Sequence, residues 1–467
     1  MASLSTQLAG IVGKENLAED PATLDLYARD SSFAEPIRPR YVVKVKDADQ
    51  VQRIVKLANE TKTPIVPVSS TGPRHNGDTV PSVPESIIVD LSGMKRIISI
   101  NRQQRVVIVE PGVTYGELQP ALAAEGLTLS LPLATKAGKS VVASVLDLEP
   151  RLNALHQWNF IDPLRCTEVI WGDGNRMYTG EAGGGPLDVE KQQAGERWQV
   201  SGTGPMMLDF YRLLTGSQGS MGIVTWASLK CDVLSPERDL CVVPAEKAED
   251  LVDFLYRVTR LRLGAEALLV NAATLASLLG KDPAEISALA RSLPAWMALI
   301  GINGQSILPE MRAAAHIADI GEIAQQFGLR MVDSLPGIPG KRILEKLTEP
   351  SGKVFWKDCL KGTSASLFFT TTLDSSADYI STVQGLVAAQ GWNPAEIGVY
   401  VQPQNMGTSI QLEFIIPYNS ADRVEADRAK RLFTEASVAC ARKGAYFLRP
   451  HGIWAALQLN KDVQSAA

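Results

Sequence analysis

The spacing of apolar positions changes repeatedly along the first 125 residues. Tyr41-Val-Val-Lys-Val is an apolar run of strand length, and after Asp47 the apolar members of Ala-Asp-Gln-Val-Gln-Arg-Ile-Val-Lys-Leu-Ala recur three and four apart, as on one helix face. With Asp47 as an N-cap residue, the pattern predicts strand, cap and helix. A second strand, Pro64 to Val68, runs into the turn-rich stretch Ser69-Ser-Thr-Gly-Pro-Arg-His-Asn-Gly-Asp-Thr-Val-Pro81. A βαβ unit ending in such a loop presents backbone N–H groups to an anion. Strands follow at Ser86-Ile-Ile-Val-Asp-Leu, Arg96-Ile-Ile-Ser-Ile and Arg105-Val-Val-Ile-Val, the last leading through Pro111-Gly112 to a helix start.

From Thr167 to Tyr178, a Gly-Asp-Gly turn between apolar runs predicts a hairpin. The stretch Gly183 to Gly204 reads as a polar, glycine-rich surface excursion. Past Pro236 the character shifts, with helical spacing over Ala245–Leu261, Ala284–Leu293, Glu310–Phe327 and Ala421–Lys443 and strands near Met297–Ile302, Ser366–Thr372 and Ser409–Ile416. The fold class expected is α+β, with a domain boundary near Pro236.

Composition narrows the function classes. A chain of 467 residues exceeds what one hydrophobic core organises, which argues for two domains. With 46 basic against 51 acidic side chains, net charge −5, there is no cationic excess to neutralise a nucleic acid. Cys166, Cys231, Cys241, Cys359 and Cys440 lack metal-binding spacing and read as buried apolar residues or free thiols of a reducing compartment. Met1 to Asn16 carries no basic stretch followed by an apolar run, so no signal peptide or membrane span is expected, and a cytoplasmic location is the default.

Six motifs then fall in order: Pro67-Val-Ser-Ser-Thr-Gly; Val109-Glu-Pro-Gly-Val-Thr-Tyr-Gly-Glu-Leu; Ser140-Val-Val-Ala-Ser-Val-Leu-Asp; Cys166-Thr-Glu-Val-Ile-Trp-Gly-Asp-Gly-Asn-Arg-Met-Tyr-Thr-Gly; Trp198-Gln-Val-Ser-Gly-Thr-Gly-Pro; and Ser217-Gln-Gly-Ser-Met-Gly-Ile-Val-Thr. Their order and spacing resemble the FAD flavoproteins typified by vanillyl-alcohol oxidase and p-cresol methylhydroxylase. The resemblance implies a two-subdomain FAD-binding domain of the p-cresol methylhydroxylase type over 1–235, an α+β substrate cap with an antiparallel sheet over 236–442, and a return to the flavin domain over 443–467. It assigns FAD contacts to Ser69, Ser70, Thr71, Gly72, Arg74, His75, Asn76 and Gly77, and the flavin surroundings to Pro111, Gly112, Ser140, Ser144, Gly222, Ile223 and Val224. Gly72-Pro-Arg-His75 is similar to the Gly-x-Arg-His of alditol oxidases, which implies a covalent tether through His75; the vanillyl-alcohol branch tethers from the cap or not at all, and a loop histidine also suits a phosphate contact.

By the same resemblance, Arg449 and His451 of Phe447-Leu-Arg-Pro-His match an Arg-x-His strip beside the flavin, and Asp162 falls where the family holds an acid near its reactive edge. A guanidinium there suits a reduced flavin, a carboxylate or a phenolate. Asp162 reads equally as a loop residue before Pro163. The chain also departs from the family. Leu448 stands at one phenol-binding tyrosine position and Asp78 or a neighbour at the other, and Ala143-Ser144 replaces the usual Gly-Asn. The strand from Gly398 to Leu412 lacks the histidines of the metal motif in D-lactate and glycolate dehydrogenases, and His156 and His316 have no partner at ligand spacing, so no metal site is expected. The expected activity is hydride removal from an alcohol, benzylic, phenolic or hydroxyacid-like substrate, with electrons passing to oxygen or a redox protein. The alternative is an electron-relay or scaffold subunit of a larger complex. A homodimer is expected by analogy alone.

Overall fold

A computed structural model describes residues 3–77, 79–152, 162–180, 210–305, 307–352 and 354–460, the side chain of Tyr211 excepted. Asp78, His156, the Asn159–Ile161 stretch, the Gly183–Gly204 excursion and the Trp198 motif lie outside the described residues. The chain divides into two compact units. One comprises Met1–Leu129, Ala137–Glu149 and Ile161–Asp232; the other comprises Ser130–Lys136, Pro150–Phe160 and Val233–Ala467.

The first unit opens with helices α1 (Leu4–Val12) and α2 (Pro21–Tyr27) and holds a four-stranded sheet of β1 (Leu17–Ala18), β2 (Tyr41–Lys44), β3 (Ile65–Val68) and β4 (Ile87–Asp90), in the order β1-β2-β4-β3. β4 runs parallel to both β2 and β3. Between β2 and β3 lies α3 (Ala48–Thr61), which starts where Asp47 accepts from Gln50 N and buries Val51, Ile54, Val55 and Leu57 in a cluster with Val43, Ile87 and Val89. The period change read in the sequence is therefore a βαβ unit.

The unit's second sheet is antiparallel and five-stranded, with β5 (Ile97–Asn101), β6 (Val106–Val109), β7 (Leu164–Trp171), β8 (Arg176–Tyr178) and β9 (Gly222–Lys230) in the order β5-β6-β9-β7-β8. β7 and β8 are the expected hairpin about Gly-Asp-Gly, and the side chains of Gln52 and Asn59 on α3 donate to Gly174 O and Gly172 O of its turn, each at 2.8 Å. Helix α4 (Tyr115–Ala124) begins at a capping box, with Thr114 N donating to Glu117 Oε2 at 2.9 Å. The short α5 (Val141–Leu146) is capped by Ser140.

The second unit is built on a six-stranded antiparallel sheet of β10 (Arg238–Ala245), β11 (Ala267–Asn271), β12 (Trp296–Asn303), β13 (Thr363–Thr371), β14 (Gly398–Gln404) and β15 (Ser409–Tyr418), in the order β10-β12-β11-β14-β15-β13. Alternate residues Val242, Leu268, Val270, Met297 and Leu299 face a core filled by α7 (Ala272–Leu279), α10 (Gly340–Thr348) and the strays Leu133, Ala134 and Leu152. Val243, Leu269 and Ile300 are buried on the opposite side, where α6 (Val252–Arg260) and α9 (Pro309–Gln326) pack on these strands, while α12 (Arg423–Arg442) packs on β13 and β15. The helix α8 (Pro283–Ser292) packs on α7, and α11 (Ser376–Ala389) on α12.

Two boundaries differ from the sequence reading. Residues 130–136 and 150–160 join the second unit, and so does the segment after 442 that was expected to return to the first. Its anchor is apolar: Trp454 of α13 (Ile453–Leu459) is fully buried, stacks on Phe447 at 5.0 Å and donates from Nε1 to Ser437 Oγ at 2.8 Å. Residues 238–245 also extend as an edge strand before the expected helix begins.

Candidate functional site

Segments far apart in sequence meet at the C-terminal end of β3. Ser70 Oγ accepts from Ser140 N at 3.1 Å, and Thr71 donates to Gly138 O from both its backbone N and its hydroxyl, at 3.3 and 3.0 Å. Ser140 Oγ in turn donates to Pro111 O at 2.6 Å while accepting Ala143 N, so one hydroxyl caps α5 and ties it to the Pro111–Gly112 turn. That turn is tight: a Cβ on Gly112 would lie 2.6 Å from Met94 O and Ser92 O. The segment before β9 joins the same assembly, with Gly216 N donating to Leu146 O at 2.7 Å. Gly219, at φ +79°, approaches Pro67 so closely that a Cβ would come within 2.8 Å of its ring. Gly222, Ile223 and Val224 open β9 opposite Trp171, Ile170 and Val169. Ser144 accepts from Tyr115 OH at 3.0 Å and donates to Glu149.

The loop from Ser69 to Gly77 is strapped from outside by residues that the sequence reading did not single out. Gly77 N donates to Asp30 Oδ2, Ser31 N donates to Arg74 O at 2.9 Å, and Asp30 Oδ1 receives both the N–H and the hydroxyl of Ser32. His75 and Asn76 lie between these two straps, and the loop includes the cis Gly72–Pro73 peptide. Arg74 lies over the ring of Tyr27 at 4.5 Å, and Tyr27 donates to Asp90, which is 3% exposed, at 2.7 Å. Burial and the Asp90 charge push the Tyr27 phenol up to about 12, against the opposing pull of Arg74. The Arg74 Nε is sealed from solvent with no hydrogen-bond partner among the described residues. Asp30 and Asp90 carried a legible signal, since a carboxylate beside small turn residues is a backbone acceptor, but nothing local says which distant loop it serves.

Asp162 stands elsewhere in the first unit. It precedes β7 through a cis bond to Pro163, whose carbonyl accepts from Lys230 N at 2.8 Å. This is the end of the β7–β9 ladder opposite Gly222.

Arg449 and His451 belong to the second unit. Arg449 is 8% exposed with its guanidinium 4.2 Å above the Phe368 ring, and His451 lies 4.6 Å from the Trp454 ring and 6.3 Å from Phe368. Leu448, the neighbour before Arg449, is half-buried. Phe368 is the register partner of Glu413 on β15, which faces Tyr400 on β14. Glu413 accepts from Lys357 and from the Tyr400 hydroxyl, and Gln411 donates to both Tyr400 OH and Glu413, at 3.3 and 3.2 Å. Burial pushes the Glu413 carboxyl up, but the Lys357 ammonium together with donors from Lys357, Tyr400 and Ser366 outweighs it and holds the group below the usual range. The Tyr400 phenol is driven well above its ordinary value by burial and by Glu413, with Arg449 acting in the opposite sense. Sequence reading missed this network because alternating polar residues on a strand describe a solvated face, whereas Glu413 is 2% exposed.

The cysteines are free, and burial raises the thiols of Cys231, Cys241 and Cys440 to about 12, which makes them poor nucleophiles. Among the described residues no group of three or more His, Cys, Asp or Glu side chains is arranged to hold a metal ion, and no helix is long and apolar enough to cross a membrane.

Residues 39–147, which hold the βαβ unit, its loop and the Gly112 and Ser140 turns, match the family described as FAD binding domain. The chain is an FAD-linked oxidoreductase, and these residues are its FAD-binding domain. It is 21% identical over 394 residues to an uncharacterized FAD-linked oxidoreductase of Mycobacterium tuberculosis, covering 83% of this chain and 80% of that one. A mitochondrial D-lactate dehydrogenase [cytochrome] of Kluyveromyces lactis is 25% identical over 241 residues, 51% of this chain and 38% of the relative. In fold the chain is similar to a crystal structure of p-cresol methylhydroxylase with substrate bound, with a TM-score of 0.80 at 18% identity over 99% of this chain and 91% of that one. The α+β architecture, flavin domain plus antiparallel cap, is the one expected.

The first unit's donor set fits the cofactor. Its loop offers backbone N–H groups, small hydroxyl side chains at Ser69, Ser70 and Thr71, and in Arg74 a buried cationic N–H without an acceptor, a chemistry suited to a pyrophosphate.

Proposed function

We propose that this oxidoreductase removes a hydride from an activated C–H bond of an alcohol, a benzylic or phenolic compound, or a hydroxyacid-like substrate, and passes the electrons to oxygen or a protein carrier. The reading rests chiefly on the convergence of Ser70, Thr71, Gly112, Ser140 and Gly219 around one strand end, beside the unpartnered Arg74 Nε. When bound, FAD supplies the two-electron acceptor. The residues from Ser69 to Gly77 hold its phosphates, and Pro111, Gly112, Ser140, Ser144 and the strand start Gly222–Val224 surround its ring. An alcohol or hydroxyacid loses C–H as hydride and O–H as a proton, leaving a carbonyl, whereas a 4-alkylphenol loses a benzylic hydride and its phenolic proton, leaving a quinone methide.

Arg449, its guanidinium 4.2 Å from the Phe368 ring, is the residue assigned to hold a carboxylate or phenolate. His451 is the candidate for taking the proton; Asp162, assigned by the resemblance to the flavin's reactive edge, lies at the end of the β7–β9 ladder away from Gly222. His75, held in the strapped loop, is the assigned point of covalent attachment, with a phosphate contact as its other role. A second reading, a flavin subunit that relays electrons without a substrate of its own, is favoured by Leu448 in place of the phenol-binding tyrosine.

The visible spectrum of purified protein before and after acid precipitation tests the cofactor assignment. A flavin band that stays with the pellet in wild type and leaves it in His75→Ala supports the tether, while a yellow supernatant from wild type returns His75 to the phosphates. Anaerobic bleaching by one class among alcohols, alkylphenols and hydroxyacids supports the enzyme. A yellow protein that none of them bleaches supports the relay.

A further inference from the structure

The first unit holds a charged group that the hydride-removing reading does not use. Residues 137–140 run between two of the segments assigned to FAD: the backbone N and hydroxyl of Thr71 donate to Gly138 O, Ser140 N donates to Ser70 Oγ, and Tyr115 N donates to Lys139 O at 3.1 Å. Lys139 therefore leaves the backbone between the loop assigned to the phosphates and the α5 turn assigned to the ring. Its ammonium lies 3.4 Å from Asp147 Oδ2 and 3.3 Å from Glu149 Oε1, and the three side chains are 17%, 18% and 16% exposed. Glu149 is tied further in. Its other oxygen accepts from Ser144, whose hydroxyl accepts from Tyr115 OH at 3.0 Å, and Ser144 and Tyr115 are both fully buried. All of these residues belong to the first unit.

Two features show that the group is held in place against a cost. Leu148, between the two acids, has φ +55°, a left-handed conformation that glycine adopts freely and leucine does not. It lets Glu149 N donate back to Ser144 O at 3.1 Å, which closes α5 and brings the Glu149 carboxylate to the Ser144 hydroxyl. The charges do not cancel either, because one ammonium faces two carboxylates, a formal balance of one negative charge. At a fully exposed position water and salt would screen that excess, but side chains this far withdrawn keep much of their field.

We propose that Lys139, Asp147 and Glu149 act through their net charge on the reduction potential of bound FAD and hold it low. This rests on the flavin assignment above, in which Ser140 and Ser144 lie beside the ring. When the substrate C–H bond breaks, its electron pair and proton leave together as hydride, so the flavin site gains one negative charge. A fixed negative charge in the wall of that site opposes the gain. The reduced state is thereby the better electron donor, which suits a chain that hands electrons on to an acceptor. Lys139 moderates the effect, and the hydrogen bonds through Ser144 to Tyr115 fix where the Glu149 charge sits.

The midpoint potential of the flavin-loaded protein, titrated with reductant against reference dyes at neutral pH and low ionic strength, reads the charge directly. Glu149→Gln keeps an acceptor for Ser144 and removes one negative charge. The expected result is a roughly tenfold shift of the equilibrium toward reduced flavin, about 30 mV upward for a two-electron couple. Lys139→Met makes the balance more negative by one charge and moves the potential downward by a similar factor. The variant carrying both substitutions has the wild-type charge without the ion pair, and its potential returns close to wild type, which loss of packing or of a hydrogen bond would not do. Asp147→Asn gives the same upward shift, should Glu149→Gln not fold. Single variants whose potentials stay at the wild-type value or move the same way, or a double variant that does not return, overturn the proposal. A colourless protein that takes up no added FAD overturns the flavin assignment and the charge effect with it, whereas a yellow one with unmoved potentials counts against the charge effect alone.

Discussion

At the scale of single residues, Gly112 shows how close approach rather than backbone freedom selects glycine. Its surroundings are the carbonyl oxygens of Leu91, Ser92 and Met94, none of which can rotate away as a side chain would. Gly112→Ala therefore has to displace backbone in the turn that Ser140 ties to α5. The expected outcome is a loss of roughly 1–3 kcal/mol in unfolding free energy, the usual cost of overpacking, with FAD retention reduced on gel filtration. Asp30 acts by a different route, because it receives Gly77 N and Ser32 rather than touching the Ser70 end of the loop. Asp30→Ala should leave the global melting temperature nearly unchanged for an edge contact, yet raise the dissociation constant for FAD measured by fluorescence titration. An unchanged constant would show that the strap does not order the loop.

Within elements, the balance of burial against pairing decides what β15 tolerates. Glu413 is an ionised group inside the cap sheet, stable there because Lys357, Tyr400 and Gln411 satisfy it. Removing one partner of a buried pair strands the other charge, so Glu413→Gln should cost about 3–5 kcal/mol in denaturant unfolding, whereas Lys357→Met with Glu413→Gln should recover most of the loss. The pH dependence follows from the direction of the shift. The folded-state carboxyl sits below its unfolded value, so its stabilisation is present above the ordinary carboxylate range, about pH 4–5, and fades as pH falls through the depressed folded value. Unfolding free energy between pH 7 and pH 3 should thus fall less steeply in the double variant than in wild type.

Taken as a whole molecule, the fold was legible where period and punctuation coincide. Asp47 before a helical spacing gave α3, the Gly-Asp-Gly turn gave the β7–β8 hairpin, and small-residue loops beside strands marked the segments that meet at the end of β3. Elements whose apolar residues show little period, such as α11, were not visible, since that helix is apolar on more than one side. At the site, small residues that contact backbone could be named from motifs. The pairings of Asp30 with Gly77 and of Lys357 with Glu413 could not, because a hydrogen bond between positions 47 or 56 residues apart leaves no local trace of which distant residue it serves.

The route of the chain between its units carries a further consequence. Residues 130–136 and 150–160 are contributed to the second unit by the first half of the sequence, and Leu133, Ala134 and Leu152 are buried in its core. On a ribosome, the cap therefore lacks nothing to begin folding once its own strands emerge, but its earliest-made core residues must wait, exposed, through the synthesis of everything between. A gene cut after residue 232 would separate them permanently. The fragment from 233 onward should be less stable by roughly 2–5 kcal/mol for each missing leucine, and co-expression of the two halves should restore soluble protein that neither half yields alone. Inheritance follows the same seam: exchange of caps between such oxidoreductases would have to carry these two short stretches along, so recombination at a single point is an unpromising way for this chain to acquire a new substrate.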